Sequence, residues 1–357
     1  MTALRVAPLA APAGIDGIAL LTEMLRIPSV SGDERELAVW LVDALGDAGF
    51  DARLDEAGNV IALWGDGERE VMLAGHLDTV SGAIPVRIES DRLYGRGSVD
   101  AKGPLAAAIT AVSRQPRDGG VRYVIAGLVE EETSSRGARH LLATHAAPAN
   151  LVVLEPSGWE GITIGYKGCV RLRWSVAQPS SHTAGAAPSA ADHGVQFVRA
   201  LQDHARTWSG AAGIFDRLDV KVVSCATDGD GLEDTARFDV SLRVPPAYDL
   251  ARLLDDVANV AGGGAIEVMS AERPVRVDRS SRLARSFVDA IRRCGGAPRF
   301  KLKTGTADLN ILVPTWRCPG LAYGAGDSRL DHTPDEHIRL SELAHGIAVL
   351  DAALSTL

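Results

Sequence analysis

The sequence predicts an α/β fold in which one sheet carries its reactive groups along an edge and a second, α+β domain interrupts it. Three observations predict this. Apolar runs of strand length alternate with segments of helical spacing. Three of those runs lead directly into a histidine or a carboxylate. From 167 to 271 the order becomes strand, helix, strand, strand, helix, strand, after which the first pattern resumes.

Helical spacing covers 15–27 and 34–48, with Ser31 and Asp33 as candidate caps for the second helix and Gly49 as its stop. Short strands are expected at 52–54 and 60–64, then at 71–75, which leads into His76. A Gly-rich turn over 95–103 carries Asp100 and precedes an Ala-rich helix at 104–112. The strand at 121–129 runs into Glu130, Glu131 and Glu132; a helix at 135–144 leads to a strand at 151–154 and Glu155. In the interrupting segment, strands are expected at 169–177, 218–226, 236–244 and 265–269, with helices at 190–207 and 250–260. That β-α-β-β-α-β order is ferredoxin-like. The helix near 280–294, the strand at 320–323 and a last helix from 340 return to the α/β pattern. The implied organisation is a first domain over 1–166 and 273–357, interrupted by an inserted domain over 167–272.

A net charge of −9 argues against nucleic acid as the main partner. The chain has no run of 18 apolar residues to span a membrane. Residues 1–13 lack the charged start and sustained apolar core of a secretory signal and read as a lead-in. Cys169, Cys225, Cys294 and Cys318 are widely spaced, as expected of reduced thiols in a cytoplasmic protein.

His76 and Asp78 lie two residues apart at a strand end, so one face can present both. Taken singly, each candidate has an ordinary reading: a turn aspartate at 100, a solvated acidic run at 130–132, a loop start at Glu155, a surface histidine at 332. Together His76, Asp100, Glu132 and Glu155 follow strands that would end on one rim of the sheet. Mixed imidazole and carboxylate donors suit zinc or a similar divalent ion. Crowded carboxylates favour two such ions over one. Other chemistries fit less well. Gly95 and Gly97 begin a dinucleotide fingerprint, but Asp100 stands where its third glycine belongs. No G-x-S-x-G nucleophile elbow is present. Around 228–234 a hairpin turn is a better reading than a calcium loop, because Glu233 replaces the required glycine.

The motifs GHLDTV, YGRGSVDAKG, EEETSSRGA, LEPSG, SSHTAG and LDHTPDE together resemble the dinuclear zinc deacylases and exopeptidases. That family includes acetylornithine deacetylase, succinyl-diaminopimelate desuccinylase and aminoacylases. The resemblance implies a zinc-exopeptidase-like catalytic domain with an inserted lid and dimerisation domain. It implies two divalent ions, zinc or alternatively cobalt: His76, Asp100 and Glu155 for one, Asp100, Glu132 and His332 for the other, with Asp100 bridging. Asp78 would orient His76 through a hydrogen bond, Glu131 would be the general base, and His182 would stabilise the oxyanion, often across a homodimer interface. The peptide after Asp100 would be cis.

GYKGCVRL, KTGTADLNIL and AYGAGDSRLDHTPDEHI narrow the resemblance to hydrolases that release lysine or ornithine from an acidic amino-group carrier protein. There the amino acid is joined to the side chain of the carrier's C-terminal glutamate. Lys167, Arg243, Lys303, Thr304 and Gly305 are the substrate-binding candidates, and Lys167, Arg171, Arg173, Arg299, Lys301 and Lys303 could attract an acidic carrier. The Asn-x-x-Pro motif of many family members is missing from the inserted domain, so their substrate-carboxylate contacts are not carried over. The alternative is a deacylase of small N-acyl amino acids, or a dipeptidase.

Overall fold

In the computed structural model, which describes residues 10–11 and 14–357, the chain divides into two units. One contains the residues up to Ile164, Val277–Lys301 and Ala307–Leu357; the other contains Gly165–Arg276 and Leu302–Thr306. The expected lead-in over 1–13 lies almost wholly outside the described residues.

The first unit is built on a mixed sheet. Strand Arg69–His76 lies at its centre, parallel to Val121–Leu128 on one side and to Asn150–Val153 on the other. Beyond Val121–Leu128 come the antiparallel strands Val60–Trp64 and Asp51–Leu54; beyond Asn150–Val153 comes Gly320–Ala322, parallel to it. The central strands are near-continuous apolar runs and are buried, as a covered parallel sheet requires. Because the three parallel strands point the same way, His76, the 130–132 turn and Glu155 leave the sheet at one edge. This is where open α/β sheets place their sites.

Helix Lys102–Val112 is buried along its whole length and packs against helices Gly17–Arg26 and Leu340–Leu354. Its alanines permit that close approach. Lys102, 1% exposed, donates from Nζ to the carbonyls of Met24 and Ile27, at 3.1 and 2.9 Å. It thereby satisfies acceptors at the end of the Gly17–Arg26 helix. Burial, opposed by the charges of Glu336 and Asp78, pushes its pKa down to about 8.

The expected caps of the second helix are corrected. Helix Arg35–Asp47 has Glu34 at its N-cap with no side-chain cap bond. Ser31 donates instead to Asp78 Oδ2 at 2.7 Å, while Glu34 Oε1 accepts from the N–H groups of Gly32 and Glu130 at 2.9 and 3.1 Å. A three-stranded sheet also escaped the sequence reading: Arg87–Glu89, Arg92–Tyr94 and His337–Arg339 pair antiparallel. The pairing joins two segments more than 240 positions apart, which periodicity alone cannot signal.

The second unit has a four-stranded antiparallel sheet in the order Asp219–Gly229, Glu233–Val244, Gly168–Pro179, Ala265–Glu272. Helices Ala190–Ser209 and Leu250–Asn259 complete the β-α-β-β-α-β sequence. Alternate residues Val170, Leu172 and Trp174 face its core, where Trp174 stacks on Phe197. A capping box between Ser189 and Asp192 starts the longer helix. The 228–234 segment is the hairpin turn expected, with Asp230 Oδ1 accepting from the N–H groups of Leu232 and Glu233 at 2.8 Å.

Candidate metal centre and active site

The Gly-rich turn that delivers Asp100 needs its glycines for steric reasons. Gly97 has φ +89°, and a Cβ on Gly103 would lie 2.2 Å from the carbonyl oxygen of Ser98. The Asp100–Ala101 peptide is cis. The two Asp100 oxygens face different histidines: Oδ1 lies 3.1 Å from His76 Nε2, and Oδ2 lies 3.1 Å from His332 Nε2. His332 Nε2 is also 2.8 Å from Glu132 Oε1.

Donor atoms within 4.8 Å of one another define the groups His76–Asp100–Glu155 and Asp100–Glu132–His332, which share Asp100, and a further group His76–Glu131–Glu132. Two three-donor sets that share one carboxylate, with mixed nitrogen and oxygen donors, fit a pair of borderline divalent ions.

The charges in the cluster are mutually dependent. Burial pushes the Glu131 carboxyl up, and the neighbouring Glu155 charge adds to this, leaving it well above the usual carboxylate range. Glu132 is raised by burial and then by Asp100. For Asp100, burial acts upward but the His332 and His76 hydrogen bonds outweigh it and hold the carboxyl well below its ordinary value. His332 is raised to about 9, chiefly by its hydrogen bond to Asp100. Burial lowers His76, yet Asp100 and Asp78 hold it well above an ordinary imidazole.

Asp78 faces His76 as expected, through its main chain as well as its carboxylate. His76 Nδ1 is 2.9 Å from the Asp78 main-chain oxygen and 3.4 Å from its carboxylate, so the backbone carbonyl is the nearer orienting acceptor. The carboxylate also accepts from Ser31 Oγ and from the N–H groups of Glu131 and Glu132, at 3.0 and 3.1 Å. It fixes the turn that presents both glutamates. Asp308, which the sequence reading did not single out, is 2% exposed, and its charge also raises Glu131. A lone aspartate in TADLNIL gave no sequence signal.

The remaining candidates lie in the second unit. Lys167 is corrected: its side chain is fully buried, and Nζ donates to the Ile214 and Arg217 carbonyls and, at 2.6 Å, to Asp219 Oδ2. It ties down the segment before strand Asp219–Gly229. Arg173 is paired with Asp239 at 2.7 Å. Arg243 Nη1 reaches Thr306 Oγ1 at 3.5 Å, Lys303 Nζ lies 5.7 Å from the Tyr166 ring centroid, and Thr304 is exposed beside half-buried Gly305. His182 is exposed, and its Nδ1 accepts from the Ala184 N–H at 3.0 Å, which places the proton of the neutral ring on Nε2.

His76, Asp100, Glu132, Glu155 and His332, gathered where the parallel strands end, have the donor chemistry of a metal-dependent hydrolase. The chain belongs to peptidase family M20/M25/M40, whose family model matches residues 72–356. A Deinococcus radiodurans protein named LysW-lysine hydrolase is 44% identical over 350 residues, covering 95% of this chain and 96% of that one. A Pyrococcus abyssi protein, provisionally named LysW-lysine/LysW-ornithine hydrolase, is 39% identical and covers 95% and 94%. Among solved structures, an M20 metallo-carboxypeptidase from Sulfolobus solfataricus superposes with a TM-score of 0.78 at 16% identity, covering 95% of this chain and 98% of that one. The Bacillus subtilis YXEP protein, described as a dinuclear metal-binding peptidase of the M20 family, gives 0.70 at 13% identity, covering 95% and 96%. At such identities these two structures speak for the fold alone.

Proposed function

We propose that the protein is a metal-dependent amide hydrolase that releases lysine, ornithine or a related diamino acid from the C-terminal glutamate side chain of an acidic amino-group carrier protein. The observation that carries the reaction class is the sharing of Asp100 between two three-donor groups beside a half-buried Glu131. The names of the two relatives carry the substrate. In this reading His76, Asp100 and Glu155 hold one ion and Asp100, Glu132 and His332 the other, zinc being the best match to the donors and cobalt an alternative. Bound ions would supply Lewis acidity and lower the pKa of a bound water from about 15.7 towards about 7. Glu131 takes the proton of the attacking water, and the amide C–N bond breaks as Glu131 returns that proton to the departing amine. Asp78 holds the Glu131 and Glu132 main chains during both transfers. The inserted domain serves as lid and dimerisation domain, and the enzyme acts in the cytoplasm.

The deciding experiment is mass spectrometry of products from a carrier charged with lysine or ornithine, run beside acetylornithine. Release of the diamino acid from the carrier at rates well above acetylornithine cleavage is expected. The reverse preference would replace this reading with the small-molecule deacylase. Steering now rests on fewer groups than the sequence suggested, because Lys167 is buried and Arg173 is paired; Arg171 and Arg299 remain exposed. Carrier hydrolysis should still slow as salt is added. Salt-independent kcat/KM would remove steering from the account.

His182 is assigned as the oxyanion donor, acting through Nε2 from the partner copy. His182→Ala should lower kcat by roughly 100- to 1000-fold, as for loss of one such donor. Near-normal turnover would remove the role. Light scattering giving 37.6 kDa instead of twice that mass would remove the dimer.

A further inference from the structure

We infer that Glu336 is a positioning residue whose carboxylate fixes the main chain of Asp100 and so aims both Asp100 oxygens; the inference rests on the metal-centre reading. Glu336 is 1% exposed, and a buried carboxylate is costly unless its lone pairs are filled. They are filled by three donors. Oε1 accepts from the N–H groups of Val99 and Asp100, at 2.9 and 3.1 Å, and Oε2 accepts from Arg96 Nη1 at 2.8 Å. All three donors come from the Gly-rich turn.

The surrounding connections give this clamp its direction. Glu336 immediately precedes strand His337–Arg339, which pairs with Arg92–Tyr94, the strand that leads into the turn. Four residues before Glu336, His332 faces Asp100 Oδ2 and Glu132 Oε1. One short segment therefore supplies a side chain to the cluster and the acceptor that sets the backbone of the residue it faces. Strand pairing by itself demands no buried charge here, whereas a bridging carboxylate must be held within about 0.5 Å of its working position. Asp78 does for Glu131 and Glu132 what Glu336 does for Asp100. Arg96, also hydrogen-bonded to the Gly82 carbonyl at 3.0 Å, keeps the Glu336 charge compensated.

The test uses the full-length chain and zinc alone as the probe, titrated against a chelating competitor. In Glu336→Gln an amide NH₂ must face either Arg96 or the two N–H groups, so the clamp cannot form as before. The expected result is a fold unchanged by circular dichroism and a zinc affinity at one or both sites weakened about 10- to 100-fold. Turnover should fall with it while KM stays within about threefold, and excess zinc should restore kcat. Arg96→Gln, which leaves the carboxylate but strips its counter-charge, should weaken zinc in the same direction by less. A folded Glu336→Gln chain with wild-type zinc affinity overturns the inference, even if its Tm falls, because the residue is then merely structural. Should Glu336→Gln fail to fold, unchanged zinc affinity in Arg96→Gln overturns it instead. A wild-type chain that takes up no zinc defeats the metal reading itself, a separate and recognisable outcome.

Discussion

Replacing Glu131 with glutamine should lower kcat by about 10²- to 10⁴-fold, the usual contribution of a positioned acid–base group, with bound zinc unchanged. The isosteric amide keeps the shape of the site and the Asp78 hydrogen bond, which uses the Glu131 main-chain N–H. What it removes is the ability to take a proton from water and hand it to the amine. Metal content should survive because both groups that share Asp100 are complete without Glu131. The rival role is specific: Glu131 also clusters with His76 and Glu132, so it has the placement of a ligand. Zinc content measured on the purified variant separates the two. Loss of one zinc together with activity would make Glu131 a ligand and leave the base unassigned.

The groups that face the cluster were legible because their placement follows from strand direction. A parallel strand that ends in a polar residue announces the edge, which is how His76, Glu132 and Glu155 could be read. His332 was different: it lies in a loop with φ +59° and about half its side chain exposed, so only the motif around it marked it out. How the cluster is held was not legible: Asp78 was read only as the partner of His76, and Glu34 and Glu336 were given no role. Glu34, Asp78 and Glu336 act on backbone N–H groups of the turns, and accepting from a main chain leaves no trace in periodicity or spacing. For Glu336 the partner lies 236 positions away. Lys167 failed for the opposite reason. A basic residue at a domain junction reads as exposed, but two carbonyls and Asp219 make its full burial tolerable. The short sheet formed by Arg87–Glu89, Arg92–Tyr94 and His337–Arg339 was hidden because its strands have three residues each, too few to display a period.

Asp100→Asn should abolish the paired arrangement and lower kcat by at least about 10³-fold, since a metal's charge stabilisation is worth several kcal/mol and each 1.36 kcal/mol is about tenfold. Each Asp100 oxygen stands 3.1 Å from a different histidine, so each is aimed at a different donor group. Asparagine keeps one acceptor oxygen but puts an N–H₂ where the other stood, and an N–H₂ cannot ligate a cation. The negative charge that brings two cations together is lost as well. Zinc stoichiometry should therefore fall from about two per chain to one or none, and added zinc should not restore turnover. That last point separates this variant from Glu336→Gln, where the ligand is intact and excess zinc should help. In the unaltered protein, chelation should remove activity and zinc should return it. An Asp100→Asn chain that keeps two zinc ions at wild-type turnover would show that Asp100 bridges nothing. The paired centre would then have to be rebuilt around the His76–Glu131–Glu132 group, which needs no Asp100.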